Sequence, residues 1–309
     1  MKALITGAGG FIGRHLVTHF AEIVMEVNAC VRKQPAFSCP ESVTVTELDI
    51  EDKRAVDAHI AASKPDVIVH LAAQSLPGKS WETPAETYNV NVNGTINLLE
   101  AVVKLNNRPR FLFAGSSAEF DEPKSEQLIR DDYARVPNSP YASSKIASSD
   151  LVQMYQRRYD LDALIFRPFA IYGPGKTGDV CSDFAERVVE IEEGRAETLR
   201  VGDLSIIRDM IDIRDFLSAI SLLTKAGVAG QCYNICSGKG TSIGQILEIY
   251  QSLSSRKLET WTDEELLRPL EHRAKIGDPS RIKSLGWTQV HDLKSTLSSI
   301  LEEKRRLTN

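Results

Sequence analysis

The first dozen residues limit the folds open to this chain more than any other stretch. A short apolar run, Ala3 to Thr6, meets Gly7, Gly10 and Gly13, and a helical pattern from Phe11 to Ala21 overlaps their end. Each glycine has its own steric use. Gly7 permits a tight turn out of a strand, Gly10 lets backbone approach a pyrophosphate, and Gly13 lets helix pack closely on strand. Phe11 and Ile12 then open a helix whose unpaired N–H groups and positive dipole end suit a phosphate. A glycine turn alone says little. At the first strand and first helix of an alternating chain it points to dinucleotide binding.

The alternation continues. Glu26 to Val31 and Ser42 to Leu48 read as strands, Asp52 to Ser63 as a helix closed by Pro65, and Asp66 to Leu71 as a buried strand. Glu82 to Lys104 is expected to form one long helix, Arg110 to Gly115 a strand, Tyr141 to Tyr159 a helix and Ala163 to Arg167 a strand. This order predicts an α/β fold, a doubly wound parallel sheet with right-handed crossovers. After Pro168 the texture changes. Gly173, Pro174, Gly175 and Gly178 signal loops, Ser182 to Glu193 a helix, and Gln231 to Cys236 a strand that can return to the sheet. The expected division is a Rossmann domain of residues 1–168 and 205–235, interleaved with a smaller α/β lobe of residues 169–204 and 236–309.

Charge and cysteine usage narrow the function classes. The net charge is −5, with neither a basic tail nor an acidic block, so no nucleic-acid or membrane partner is expected. The apolar start, Met1 to Ile5, is broken by Gly7 to Gly10, and no apolar stretch approaches the roughly 20 residues that span a bilayer. Five cysteines, at 30, 39, 181, 232 and 236, are odd in number and lack metal-ligand spacing. They read as reduced thiols of a cytoplasmic protein, and no metal is expected.

The end of the second strand bears on the cofactor. A carboxylate there would bind the ribose 2′-hydroxyl of NAD. Here the residues are Cys30, Val31, Arg32 and Lys33. A guanidinium suits a phosphate fork, so Arg32, with Lys33 or Arg14 beside it, favours NADP(H) over NAD(H).

The chemistry concentrates further on. The strand ending at Gly115 delivers Ser116 and Ser117 at its carboxyl end, where doubly wound sheets bind ligands. Tyr141 and Lys145 lie four apart in a helix and share one face. A phenol of pKa about 10 is a weak acid–base group at neutral pH. A lysine cation one turn away is expected to lower that value. The phenol can then exchange a proton with an oxygen beside the nicotinamide, while a serine hydroxyl binds the same oxygen.

These motifs together resemble the extended short-chain dehydrogenase/reductase family, along nearly the whole chain. Gly7 to Gly13 is similar to its TGxxGxxG loop, His70 to Ala73 to its HLAA strand end, Asn91 to Thr95 to the following helix, and Arg167 to Phe169 with Gly173 to Gly175 to the segment opening its sugar-nucleotide site. The resemblance implies Ser116, Tyr141 and Lys145 as catalytic residues. It implies cofactor contacts from Gly7, Gly10, Phe11, Ile12, Gly13, Arg32, Asp49, Ile50, Leu71, Ala72, Ala73, Tyr141, Lys145 and Arg167, with Lys145 on the nicotinamide ribose. Within the family, Gln74-Ser75, Ser80-Trp81, the run Arg208 to Asp215, Tyr233 to Gly238 and Leu267 to Pro269 look like the GDP-mannose branch. That likeness implies substrate contacts from Ser75, Ser117, Ala170, Val180, Arg208 and Arg268, a GDP-linked sugar substrate, and a homodimer through a four-helix bundle.

Three departures matter. The branch's dehydratases carry a glutamate base two residues after the serine, and that place is Ala118 here; Glu119 is one residue later and is expected to face away. Ala170 stands where an asparagine is usual, and Phe120-Asp121 replaces a Tyr-Gly. The implied activity is therefore reduction of a 4-keto-6-deoxy nucleotide sugar. A 4-epimerase or 4,6-dehydratase that recycles bound NAD(P) is the alternative. A redox-sensing dinucleotide-binding protein could dispense with the Tyr–Lys pair, which this chain keeps.

Overall fold

The computed structural model describes residues 1–23, 26–33, 39–121, 123, 127–267 and 274–308. Its first half alternates strongly: β1 (Lys2–Thr6), α1 (Phe11–Ile23), β2 (Glu26–Val31), β3 (Val43–Glu47), α2 (Lys53–Ser63) and β4 (Val67–His70). Local chemistry sets the ends. The Asp52 carboxylate accepts from the amides of Arg54 and Ala55 to start α2, which stops at Lys64 in the left-handed region.

The expected single helix over Glu82–Lys104 is instead interrupted. α3 (Pro77–Glu82) and α4 (Pro84–Tyr88) are separated at Thr83, whose φ of −130° and ψ of 62° lie outside the helical region. A residue before proline is pushed out of that region by the pyrrolidine ring. A single π turn at Asn89–Asn93 then joins α4 to α5 (Gly94–Val103). β5 (Arg110–Ala114), α6 (Pro140–Tyr159), β6 (Ala163–Pro168), β7 (Ala170–Tyr172), α7 (Val180–Glu192), β8 (Thr198–Val201), β9 (Ile207–Asp212), α8 (Ile213–Ala226) and β10 (Cys232–Ile235) follow. The chain closes with β11 (Gly240–Ser242), α9 (Ile243–Leu253), β12 (Glu259–Thr262), β13 (Ala274–Lys275), α10 (Ser280–Ser284) and α11 (Leu293–Thr308).

Seven strands form one all-parallel sheet in the order β10-β6-β5-β4-β1-β2-β3. The order reverses at β1, between β4 and β2, which is where such sheets open a crevice at their carboxyl ends. Neighbouring residues of one strand face opposite layers, as strand geometry requires. Ala3 and Ile5 of β1 pack with Leu16 and Phe20 of α1 and Phe216 and Ile220 of α8. Leu4 packs with Ile60 of α2, Leu98 of α5 and Val152 of α6. Each such fully buried side chain contributes about 2 kcal/mol by leaving water.

A second core joins α7, α9 and α11 around Phe184, Tyr250 and Leu297. β9 lies in a four-stranded sheet with β7, β11 and β13, and β12 pairs with β8. Of the segment 205–235, β10 therefore joins the large sheet and α8 packs on it, whereas β9 belongs to the small one. All five cysteines are free thiols, four of them buried. Among the described residues no helix is long and apolar enough to cross a membrane.

Candidate active site

The carboxyl ends of β1, β4, β5 and β6 bring the site together. At β1 the turn depends on two glycines. Gly7 has φ +72°, and a Cβ there would meet the Ala72 amide nitrogen at 2.6 Å. At Gly13 a Cβ would collide with the Gly7 carbonyl, so only glycine lets α1 start so close to β1. Gly10 is exposed and its added Cβ would touch nothing closer than 3.4 Å. The first amides of α1, at Phe11 and Ile12, lack intrahelical acceptors as at any helix start. This open, glycine-lined helix end fits a dinucleotide pyrophosphate.

Under the turn, Thr6, His70 and Thr95 form a buried chain. Thr95 Oγ1 gives its one proton to the Asn91 carbonyl at 2.6 Å, so it accepts from His70 Nε2 at 3.0 Å. His70 Nδ1 then accepts from Thr6 Oγ1 at 2.7 Å. Burial, with the Lys145 cation adding to it, pushes the His70 imidazole down to about 3, so it stays neutral. Asn91, in the π turn, clamps the Gln74 backbone from both sides and donates to Ser144 Oγ at 2.9 Å. It thus ties the loop after β4 to α6.

α6 begins with Ser139 as its cap, accepting from the Ala142 amide at 3.1 Å, and Pro140 in its first turn. The Tyr141 amide donates to Ser80 Oγ of α3 at 3.1 Å. The Tyr141 phenol is buried, with the Ser116 side chain beside it. Lys145 Nζ donates to the Ala114 carbonyl at 2.9 Å and lies 5.1 Å from the centre of the Phe113 ring. Ser116 thus stands beside Tyr141, and Lys145 lies one turn further along α6.

Their electrostatics differ from the sequence expectation. The Tyr141 phenol is raised, chiefly by burial, with the Ser116 side chain opposing the rise and the Glu119 charge adding to it. The lysine instead points at the Ala114 carbonyl, and burial takes its own value down to about 8.

Glu119 is the residue that sequence reasoning misplaced. Ser116 to Glu119 is a capping box on a 3₁₀ turn, not a strand extension. Glu119 is fully buried. Its Oε1 accepts from the Ser116 amide and from Ser149 Oγ, both at 3.0 Å, and its Oε2 from Arg167 Nε at 2.9 Å. The Ser-x-x-Glu spacing was the available signal. Arg167, expected at the cofactor, turns its guanidinium inward to Glu119 and to the Asp131 carbonyl. That side chain is a buried ion-pair partner inside the fold, so any cofactor contact from Arg167 falls to its backbone.

The remaining expected residues lie on several elements. Leu71, Ala72 and Ala73 are half-buried at the end of β4, and Ser75 is exposed beyond them. Ser117 starts the 3₁₀ turn, half-buried. Arg32 is exposed at the end of β2, and its cation partly opposes the rise that desolvation and Asp49 give the Glu51 carboxyl. Arg14 is tied to the Gly175 carbonyl at 3.2 Å. Asp49 is exposed, while Ile50 is buried against Gly94. Ala170 on β7, Val180 opening α7 and Arg208 on β9 are half-buried. Arg268 lies outside the described residues. No group of three or more His, Cys, Asp or Glu among the described residues is placed to hold a metal.

The sheet order, glycine turn and Ser–Tyr–Lys constellation define an NAD(P)-dependent oxidoreductase of the extended short-chain dehydrogenase/reductase type. Residues 4–300 match the family model described as GDP-mannose 4,6 dehydratase, and the chain belongs to that family. It is 29% identical over 306 residues to a GDP-6-deoxy-D-mannose reductase of Pseudomonas aeruginosa, covering 98% of this chain and 96% of that protein. It is 28% identical over 311 residues to a GDP-6-deoxy-D-talose 4-dehydrogenase of Aggregatibacter actinomycetemcomitans, covering 99% and 98%. The structure of RMD from Pseudomonas aeruginosa complexed with NADPH superposes with a TM-score of 0.86 at 27% identity, covering 99% of each chain.

Proposed function

We propose that this chain uses NADPH to reduce the 4-keto group of a nucleotide-activated 6-deoxy-4-ketohexose. GDP-4-keto-6-deoxymannose is the substrate, and the product is a GDP-6-deoxyhexose, GDP-rhamnose or GDP-6-deoxytalose. One observation carries the choice of reduction over dehydration: Glu119, the carboxylate nearest the reacting serine in sequence, has both oxygens committed inside the fold. Removing the proton at carbon 5 needs a free base beside the sugar, whereas reduction needs only an acid, an oxygen clamp and a hydride. The GDP-sugar names of two relatives and the NADPH in the superposed structure support the same reading.

Bound NADPH supplies the hydride to carbon 4. Tyr141 gives its phenolic proton to the developing alkoxide. Its raised value keeps that proton in place at neutral pH, which suits an acid better than a base. Ser116, beside the phenol, holds the carbonyl oxygen. Lys145 binds the nicotinamide ribose, and its cation favours charge on the oxygen.

Three expectations follow. With GDP-mannose and NADP alone, the chain is expected to form no 4-keto sugar by NMR; its formation would overturn the reduction reading. Arg32→Ala is expected to raise KM for NADPH about tenfold and leave that for NADH within twofold, one charged phosphate contact being lost. Reduction is expected to hold through neutral pH and fall as pH rises through about 8, where Lys145 loses its charge. Stability moves the opposite way. Lys145 binds its proton less tightly folded than unfolded, so deprotonation between about 8 and 10.5 relieves a buried-charge cost on the order of 3 kcal/mol. Flat activity across pH 8 in a kcat profile would remove Lys145 from this role.

We also assign a homodimer, built from α6 and the α4–α5 helical run. Met154 is exposed on the face of α6 that also bears half-buried Leu151 and Tyr155. Light scattering at twice the 34.2 kDa chain mass is the expected result.

A further inference from the structure

We infer that Glu119 is a positioning residue that sets the Tyr141–Lys145 row of α6 in register with Ser116. The inference rests on the reductase reading above. Tyr141, Lys145 and Ser149 follow one another at four-residue steps and so form one row along α6. Ser149 Oγ, at the far end of that row, donates to Glu119 Oε1 at 3.0 Å. The same oxygen accepts from the Ser116 amide at 3.0 Å. One carboxylate oxygen thus holds the catalytic helix and the serine backbone together. The other oxygen is fixed by Arg167 Nε of β6 at 2.9 Å, with Arg135 Nη1 at 3.9 Å.

The folding back of Glu119 is built into the backbone. A Cβ on Gly115 would stand 2.5 Å from Glu119 Oε1, so the strand must end in glycine for the carboxylate to reach the Ser116 amide. The side chain is fully buried, and solvent does not compete for these bonds.

Glu119 also supplies negative charge behind the acid. It opposes the burial effect that lowers Lys145, and it raises Tyr141. The other groups facing this row are His70 from β4, which is neutral, and the Arg167 and Arg135 cations that face Glu119 itself. Removing the Glu119 charge therefore shifts both Lys145 and Tyr141 to lose their protons at lower pH.

The test is a kcat–pH profile of NADPH oxidation for the parent and Glu119→Gln proteins, with thermal melts of both. In Glu119→Gln the single amide oxygen cannot serve both Arg167 Nε and the Ser116–Ser149 pair, so the alkaline limb is expected to move down by roughly one pH unit and kcat to fall about tenfold, with KM for the sugar nucleotide within twofold. A folded Glu119→Gln protein with the parent limb and kcat overturns the inference. If that variant does not fold, Ser149→Ala and Glu119→Asp decide. Each is expected to lower kcat about fivefold at unchanged KM, Glu119→Asp keeping the parent limb because the charge remains. Parent kcat in both overturns the inference. A parent protein that oxidises no NADPH fails the reductase reading instead.

Discussion

Tyr141→Phe is expected to lower kcat for NADPH-dependent reduction about 1,000-fold, the loss of a positioned acid. Only the phenolic oxygen is removed. The ring keeps its buried place, and Ser116 Oγ still accepts from the Ala118 amide at 3.1 Å. KM for both substrates should therefore stay within about threefold, since the lost interaction acts on the alkoxide and not on the ground state. Thermal stability should change little, because the ring stays packed and Ser116 keeps its bond from the Ala118 amide. Steady-state kinetics and a melting curve check both halves. Residual activity within tenfold of the parent would mean that another group delivers the proton.

The second large effect is on stability. Arg167→Met is expected to cost about 4 kcal/mol, seen as a fall of about 10 °C in Tm. Arg167 and Glu119 are both essentially inaccessible to water, with side-chain exposures of 2% and 0%. Losing the guanidinium takes from the buried carboxylate its hydrogen-bonded cation and leaves Arg135 Nη1 beside it at 3.9 Å. It also strips the Asp131 carbonyl of a donor at 3.0 Å and the Phe120 ring of a cation 5.0 Å from its centre. The double variant Arg167→Met with Glu119→Gln should recover most of the loss. The neutral amide can still accept from the Ser116 amide and Ser149, and no charge is left stranded. A double variant as unstable as the single one would show that packing, not charge, governs this site.

The parts of the fold visible in the sequence were those with short-range causes. The glycine turn is legible because each glycine answers a local steric demand, and Gly7 and Gly13 meet that demand in the structure. Tyr141 and Lys145 are legible because helical periodicity alone puts them on one face. The break at Thr83 was also written locally, in Pro84, but the helical pattern that follows obscured it. Other features depend on partners distant in sequence. β9 pairs with β7, β11 and the two-residue β13, and strands so short carry little periodic signal. Glu119 meets Arg167 across 48 residues, so its spacing from Ser116 revealed the cap but not the ion pair. Similarly, nothing near Ser80 announces that its hydroxyl receives the Tyr141 amide.

The account turns on whether cofactor is consumed. The deciding measurement is the loss of NADPH absorbance with GDP-4-keto-6-deoxymannose generated in situ, with product quantified in the same sample. One NADPH oxidised per GDP-6-deoxyhexose formed is the expected result, with Tyr141→Phe protein nearly silent. Conversion of the sugar without net loss of NADPH, or no conversion at all, would contradict it.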